Sequence, residues 1–166
     1  MAFNIIVCAK QVMDPETPAS AFNVDENARR VVPAQGIPPV VNGFDENAVE
    51  AALKIKESMG DTIVTVISTG TEFVMDVMKK PLSMGADNMV LVQDDACADL
   101  DAFSTVKILT TMIGRLGDFD LIICGQQASD WDNAHVPLGI SETLELPCLT
   151  EVRTIEIGDG TVTVNS

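Results

Sequence analysis

Metal-binding and disulfide signatures are scarce in this sequence of 166 residues. It contains a single histidine, too few for a His-rich metal site, and its four cysteines show no C-x-x-C spacing. Cys8 and Cys124 lie inside apolar runs, which favours their interpretation as buried small hydrophobic side chains. The sequence therefore predicts neither a metal site nor a disulfide framework.

Basic residues are also few, because ten Lys and Arg stand against 25 Asp and Glu and leave a formal net charge of −15. A surface of this charge repels a polyphosphate backbone, so nucleic acid is not an expected partner. Two interpretations of the charge remain open. It can serve solubility alone, or it can form an acidic face for a basic protein partner.

Long apolar runs and targeting segments are missing as well. No run approaches the roughly 20 apolar residues of a membrane-spanning helix, and the N-terminus enters the stretch FNIIVC without a basic segment or a cleavage-site pattern. We therefore expect a cytoplasmic protein without membrane insertion. We also expect one domain, residues 1–166, long enough to bury roughly 70% of its unfolded surface without metal or disulfide support.

The common catalytic motifs are absent too. The sequence has no G-x-G-x-x-G after its first apolar run, no G-x-x-x-x-G-K-[ST] phosphate loop and no G-x-S-x-G nucleophile elbow. Ser129, Asp130 and His135 have the composition of a catalytic triad, but neighbours on one loop rarely reach the required geometry. Asp130 and Asp132 are alternate carboxylates, which are common in solvated loops. We predict no catalytic residues, and so not an enzyme.

The sequence does contain a regular alternation of strand-like and helix-like segments. The apolar runs at 3–9, 62–68, 88–93 and 121–125 are short, rich in Val and Ile and nearly continuous, as in strands buried on both faces. Segments with helical spacing follow at 46–59, 72–84, 101–116 and 134–146. This order predicts an α/β fold, an open and mostly parallel doubly wound sheet with helices on both faces.

Several details of these helices are specific enough to check. Asp45 is placed to cap the first helix at its N-terminus. Pro81 lacks an N–H and should kink the second helix in its last turn. The spacing also turns Val74 of the second helix and Phe103 of the third towards the sheet.

Two segments depart from the alternating pattern. The long excursion at 10–42 contains AFNV and RRVV on either side of Asp25-Glu26-Asn27, which predicts a hairpin. Connections of this length are often functional, although a plain surface flap is equally consistent with the sequence. Residues 148–166 predict a second hairpin with its turn at Gly158-Asp159-Gly160.

Polar residues follow the last apolar run and raise the question of a ligand. Residues 126–136 can wrap a ligand with backbone groups, and the following helix N-terminus suits a phosphate, so an adenine nucleotide fits. Ligands of open α/β sheets bind beyond the carboxyl ends of the strands. Lys10, Asn42-Gly43 and Asp45 can reach the same place, but each is also explained as a surface charge, a turn or a helix cap. Trp131 is better suited to covering an apolar surface or a partner than to stacking on a base.

Taken together, these segments resemble the beta subunit of electron transfer flavoproteins. The matching stretches are VCAKQVMD (7–14), NGFDENAVEAALKIKE (42–57), ISTG (67–70), SMGAD (83–87) and DLIICGQQASDWDNAHVPLGISETLELP (120–147). The most specific elements are the helix start N-x-F-D-E-x-A-x-E and the loop G-[KRQ]-Q-A-x-D-x-D. The resemblance runs in order across nearly the whole chain.

The resemblance implies an adenine nucleotide alpha hydrolase-like fold, related to universal stress proteins and N-type ATP pyrophosphatases. It also implies a heterodimer that passes electrons from a dehydrogenase donor to an acceptor. In this family the alpha subunit makes most contacts to the redox FAD, and the beta subunit buries AMP or, in electron-bifurcating members, a second FAD. The resemblance, together with the expectation that the carboxyl ends of the strands meet at one cleft, gives a set of cofactor-binding candidates in this sequence. They are Cys8, Ala9, Lys10, Asn42, Gly43, Phe44, Asp45, Thr69, Gly125, Gln126, Gln127, Ala128, Ser129, Asp130, Asp132, Asn133, Ala134, His135 and Val136.

Some features depart from the family pattern. Many members have N-P-F where this sequence has Asn42-Gly43-Phe44. Family members also continue with a loop that anchors dehydrogenases and an arm that wraps the alpha subunit, so we expect this sequence to match the N-terminal nucleotide-binding core, as a fragment or a shortened relative. The alternatives are a stand-alone nucleotide-binding module of the universal-stress-protein type without a redox role, and an ATP-dependent ligase or pyrophosphatase. The last lacks support, because the sequence reads CAKQVMD where such enzymes have an S-G-G-x-D-S-type phosphate loop.

Overall fold

A central parallel sheet with helices on both faces organises the protein. The computed structural model describes residues 2–27, 29–32, 35–158 and 160–166. The strands are β1 (Phe3–Cys8), β2 (Gln11–Val12), β3 (Asn23–Asp25), β4 (Arg30–Val32), β5 (Val40–Val41), β6 (Thr62–Gly70), β7 (Asn88–Gln93), β8 (Leu121–Cys124), β9 (Thr154–Gly158) and β10 (Thr161–Asn165). The helices are α1 (Gly43–Met59), α2 (Met75–Met78), α3 (Lys80–Met84), α4 (Ala102–Leu116) and α5 (His135–Leu144), with single 3₁₀ turns at Ala19–Ala21 and Asp95–Cys97.

The order of the four central strands is β7-β6-β1-β8, and all of them are parallel. The chain first moves outward from β1 to β6 and β7, and then returns to pair β8 with the opposite side of β1. The strand order therefore reverses between β1 and β8. The predicted fold class is confirmed. Proteins of this class bind ligands beyond the carboxyl ends of the strands at such a reversal, so the ends of β1 and β8 are the place to examine.

The sheet is buried on both faces, as its continuous apolar runs predict. Ile5 and Val7 point to a core shared with α1, α2 and α3, whereas Ile6 and Cys8 point to a core shared with α4 and α5. The alternation follows from the period of two along a strand. Each fully buried Val or Ile contributes about 1.5–3 kcal/mol relative to an exposed one, so these two cores provide the main stabilisation.

The start of α1 corrects the prediction that Asp45 is a helix cap. The N–H groups of Asp45 and Glu46 both donate to the carbonyl oxygen of Asn42, at 2.9 and 3.0 Å, so the helix begins at Gly43. Asn42 holds the N-cap position but makes no side-chain cap hydrogen bond. Asp45 lies within the first turn and is only 7% exposed. Its carboxylate is therefore available for contacts outside the helix.

The second predicted helix is two short helices, α2 and α3, which meet at Lys79. Pro81 lies in the first turn of α3, where a missing N–H costs no hydrogen bond, so the chain breaks before the proline instead of kinking after it. The prediction that Val74 faces the sheet is wrong, because this residue precedes α2. Phe73 is buried in its place. Gly85 ends α3 with a φ of +129°, as expected for a helix stop.

The third predicted helix is present as α4, with Asp101 as its N-cap. Its buried stripe is formed by Val106, Leu109, Met112 and Ile113. Phe103 lies at the margin of this stripe in the first turn and is 77% exposed, so the prediction that it faces the sheet is wrong. No described helix combines the length and the apolar character that a membrane crossing requires.

Both predicted hairpins are present. In the excursion, β3 pairs with β4, while β2 pairs with β5 and closes the excursion at its base; residues 28, 33 and 34 lie outside the described part. At the other end β9 pairs with β10, and Asp159 of the predicted turn is not described. Ile155 and Ile157 of β9 pack against the core under α1, which joins this hairpin to the main body.

Candidate functional site

The ends of β1 and β8 meet the first turn of α1. The N–H of Lys10 donates to Asp45 Oδ2 at 2.8 Å, and the N–H of Asn42 donates to the carbonyl oxygen of Lys10 at 2.9 Å. A Cβ atom at Gly125 would lie 2.7 Å from the carbonyl carbon of Phe44 and 2.8 Å from the backbone nitrogen of Asp45. Only glycine allows this approach. Three segments that are distant in sequence thus meet at the switch point, the carboxyl ends of β1 and β8 where the strand order reverses.

Asn42 connects α1 to the polar loop, which we define as residues 126–134. Its Nδ2 donates to the carbonyl oxygen of Gln127 at 2.8 Å, and its Oδ1 accepts from the N–H of Ser129 at 3.2 Å. The side chain is fully buried. Because Oδ1 accepts from the polar loop, it does not cap α1. This interpretation replaces the simple turn as the reason for asparagine at this position.

Lys10 and Asp130 form an ion pair across the rim of the site. Lys10 Nζ lies 2.8 Å from Asp130 Oδ1 and 2.7 Å from Oδ2. The side chains are 44% and 20% exposed, so the pair contributes little to stability. Its structural effect is to fasten the polar loop to the end of β1. The charge of Lys10 is thereby compensated within the protein.

Asp45 is the buried carboxyl group at the base of the site. Burial raises its pKa to about 6, against the hydrogen bonds from the Asn42 side chain and from the N–H groups of Lys10 and Gly125, which lower the pKa. The group is mostly ionised at pH 7 and becomes neutral in mild acid. It binds the backbone N–H groups of Lys10 and Gly125, just beyond the ends of β1 and β8, instead of facing solvent.

The polar loop is held in shape by its own hydrogen bonds. The N–H groups of Trp131 and Asp132 donate to the carbonyl oxygen of Ala128 at 3.2 and 2.8 Å, and Gln127 Nε2 donates to Asp132 Oδ1 at 2.7 Å. Asp132 adopts a φ of +52°, in the left-handed region. Trp131 is 74% exposed, so it does not cover an apolar surface of the described chain.

Two sets of hydrogen-bonding groups remain for a ligand. Ser129 Oγ is buried and has no partner, although a buried hydroxyl without a partner is costly. Ala134 precedes α5 without a side-chain cap, so the N–H groups of His135 and Val136 have no partner within the helix. These donors and the positive end of the helix dipole suit an anionic oxygen.

The remaining candidates lie around this centre. Cys8 and Ala9 are buried, and the N–H of Ala9 already donates to the carbonyl oxygen of Ile67. Thr69 lies at the end of β6, with its Oγ1 3.3 Å from Cys97 Sγ. The candidates on the solvent side of the site are Gly43, Gln126, Asp132, Asn133 and His135, all of which are exposed.

Sequence reasoning missed one residue of this region. Gln11 Oε1 accepts from the N–H of Val74 at 2.8 Å, and its Nε2 donates to the carbonyl oxygen of Glu72 at 3.2 Å. Gln11 thus fastens the connection between β6 and α2 beside the site. Its position directly after the first strand end was the available signal. Among the described residues, no three His, Cys, Asp or Glu side chains come together as a possible metal site.

The fold and the site define a class, the open parallel α/β proteins that bind ligands beyond their strand ends at a switch point. The comparison with known families then adds that the electron transfer flavoprotein domain matches residues 30–166. This chain belongs to that family. The resemblance expected from its motifs is confirmed.

Several known proteins are similar to this chain. The electron transfer flavoprotein subunit beta of Thermoanaerobacterium thermosaccharolyticum is 37% identical over 93% of this chain and 56% of its own length. The corresponding subunit of Megasphaera elsdenii is 36% identical over 96% of this chain and 60% of its own length. Protein FixA of Azotobacter vinelandii is 35% identical over 90% of this chain and 52% of its own length. The chain therefore spans little more than half the length of these relatives.

Proposed function

We propose that this chain is the nucleotide-binding core of an electron transfer flavoprotein beta subunit. It holds AMP, or a second FAD, at the carboxyl ends of β1, β6 and β8. It pairs with an alpha subunit that carries the redox FAD, and the complex passes electrons from a dehydrogenase to an acceptor. The chain itself contributes binding and orientation, without catalytic residues of its own.

The observation that carries this proposal is the unsatisfied hydroxyl of Ser129 in a loop that Asn42 and Lys10 hold in place. A preformed loop with a free donor loses little conformational entropy on binding a ligand. The sugar hydroxyl or phosphate oxygen of an adenine nucleotide supplies the missing partner. The N–H groups at the start of α5 fit a phosphate through their positive partial charge.

FAD, when bound, supplies the capacity to accept and release electrons one or two at a time. The groups of this chain that would hold its adenosine half, or AMP, are the backbone and side chains of the polar loop and the first turns of α1 and α5. The ion pair between Lys10 and Asp130 would hold the polar loop against the end of β1 beside such a ligand.

The direct test is to identify the bound nucleotide. The protein is purified without added nucleotide and denatured, and the released compound is identified by chromatography and absorbance. The empty protein is then titrated with AMP and with FAD by calorimetry. Released AMP supports a structural nucleotide, and released FAD supports a second flavin site. An empty protein that binds neither compound contradicts the proposed nucleotide site.

A pair of matched variants tests the role of Ser129. Ser129→Ala removes an unsatisfied buried hydroxyl, so the empty protein should keep its stability or gain about 1 kcal/mol, while nucleotide affinity should fall about tenfold. Thr62→Val is the control, because Thr62 Oγ1 is likewise buried without a partner but lies at the opposite end of the sheet. The control should change stability similarly and leave affinity unchanged. Equal affinities in both variants would remove Ser129 from the site.

The redox role requires the partner subunit and is tested separately. The chain is co-expressed with the alpha subunit of the same organism, and the complex is examined for flavin absorbance and for reduction by dehydrogenases of that organism with their substrates. A yellow, reducible complex supports the electron carrier. Nucleotide binding without any complex formation would favour the stand-alone nucleotide-binding module instead.

A further inference from the structure

Two cysteines occupy paired positions at the base of the site. Cys8 ends β1, Cys124 ends β8, and the two residues are direct neighbours in the parallel ladder. Neighbouring positions in register place their side chains on the same face of a sheet. Cys8 belongs to the core under α4 and α5, and Cys124 packs against that core from a half-buried position. The two thiols therefore face each other across adjacent strands.

The spacing of the strands matches the geometry of a disulfide. Neighbouring strands lie about 4.8 Å apart, and the Cα atoms of disulfide-bonded residues are usually about 4.4–6.8 Å apart. The Cβ atoms of in-register neighbours are held about 4.8 Å apart, slightly more than the roughly 3.5–4.5 Å of a disulfide, so a bond between the two sulfur atoms needs side-chain rotation and a small approach of the two strand ends. Since Cys97 and Cys148 lie on other segments of the chain, Cys8 and Cys124 are a pair defined by the sheet itself.

We propose that Cys8 and Cys124 form a redox-active dithiol that closes to a disulfide on exposure to hydrogen peroxide and reopens with a thiol reductant. The more exposed Cys124 thiolate attacks peroxide, takes one oxygen atom as a sulfenic acid and releases hydroxide, which becomes water. The Cys8 thiolate then attacks Cys124 Sγ, the sulfur–sulfur bond forms, and the sulfenic oxygen leaves as a second water. Two thiols thus lose two electrons and two protons, and one peroxide becomes two waters.

The environment of Cys8 slows the closure of the disulfide at neutral pH. The hydrogen bond with Cys124, burial, and the negative charges of Cys124 and Asp45 all raise the pKa of the Cys8 thiol. The thiolate is the attacking form, so ring closure is slow at neutral pH and accelerates as pH rises. No step of the oxidation requires a nucleotide or a partner subunit.

A disulfide between Cys8 and Cys124 would lie directly beside the segments that form the candidate site. Cys124 is followed by Gly125, which touches the first turn of α1, and Cys8 lies two residues before Lys10. A disulfide here links covalently the two strands between which the strand order reverses. It also fixes the base from which both the polar loop and the Lys10 segment extend.

The experiment uses the full chain with Cys97→Ser and Cys148→Ser, which leaves the pair as its remaining thiols. The folded protein is treated with hydrogen peroxide, denatured, blocked with N-ethylmaleimide and digested. Mass spectrometry should find a cross-linked peptide containing Cys8 and Cys124, lighter by two hydrogen atoms and absent after dithiothreitol. Formation should be several-fold faster at pH 9 than at pH 7.

The control adds Cys124→Ser to the same background and should show maleimide on Cys8 and no cross-link. If the double variant does not fold, the same peptide is sought in the unaltered chain. Two maleimide-blocked cysteines after peroxide treatment would overturn the proposal. Sulfinic or sulfonic acid at Cys124 without a cross-linked peptide would overturn it as well.

Discussion

At the scale of single residues, Asn42 has the largest structural role relative to its size. One buried amide satisfies Gln127 and Ser129, which lie more than 80 positions further along the chain. Asn42→Ala leaves a partly buried carbonyl and a partly buried N–H without their partner, so we expect a loss of about 2–4 kcal/mol in urea unfolding. The nucleotide affinity should fall with it.

The control for this variant is Asn23→Ala. Asn23 is exposed on β3, and its Nδ2 reaches the carbonyl oxygen of Ala21 at 3.4 Å. Its removal should change stability by no more than about 0.5 kcal/mol. Equal losses in the two variants would mean that Asn42 does not hold the polar loop.

Asp45 makes the stability of the empty protein depend on pH in a defined direction. Its pKa of about 6 in the folded state exceeds its ordinary value of 3.8, so the folded state binds a proton between these values that the unfolded state has lost. The stability that this group contributes is therefore fully present below about pH 3.8 and is lost as pH rises to about 6, by about 3 kcal/mol in total.

The measurement compares Asp45→Asn with the unaltered chain across this range. Other carboxyl groups titrate in both proteins and cancel in the difference. The stability of the variant relative to the original should rise by about 2–3 kcal/mol between pH 4 and pH 7. A difference that stays constant with pH would show that Asp45 titrates normally in the folded protein.

At the scale of elements, the contact of α4 with α5 depends on a glycine. A Cβ atom at Gly139 of α5 would lie 2.6 Å from Val106 Cγ2 of α4, whereas a Cβ atom at Gly114 of α4 meets nothing within 4 Å. Gly139→Ala should cost about 1–3 kcal/mol through overpacking. Gly114→Ala should gain about 0.5–1 kcal/mol, because alanine is the better helix former. Thermal unfolding of the two variants in parallel tests both signs, and a stabilised Gly139→Ala would show that the helices can separate freely.

The elements themselves were predictable because their signals are local. Continuous Val and Ile runs identified the four central strands, and glycines identified the ends of α1 and α3. The errors have tertiary causes. Asp45 has the composition of a cap, but its carboxylate is taken by Lys10 and Gly125, and Phe103 lies just outside the stripe that the sheet covers.

The members of the candidate site could be predicted, but their contacts could not. The position of the polar loop after the last strand was sufficient to place it at the switch point. The contacts that hold it, Asn42 to Gln127 and Lys10 to Asp130, join residues 85 and 120 positions apart. No local pattern encodes such pairs, and Gln11 was missed for the same reason.

At the scale of the whole molecule, we propose that residues 1–166 form one domain. The described residues of the C-terminal hairpin form no core of their own, and Ile155 and Ile157 pack against the core under α1. Thermal unfolding followed by far-ultraviolet circular dichroism and by calorimetry should therefore show one transition at the same midpoint. The fluorescence of Trp131 is unsuitable for following this unfolding, because its side chain is already exposed in the folded protein. Two separated transitions would divide the chain into independent units.

The strand order also determines when the site can come into existence during folding. One edge of β1 has no pairing strand until β8 is in place, and the hydrogen bond from Asn4 to Asp120 spans 116 positions. Closing so long a loop is slow compared with the local pairing of hairpins and helices. On the ribosome, β1, α1 and β6 can associate before β8 has been synthesised, but the polar loop has nothing to join until then. The candidate site is thus one of the last parts of the molecule to form, because it needs the end of β8 and the loop that follows it.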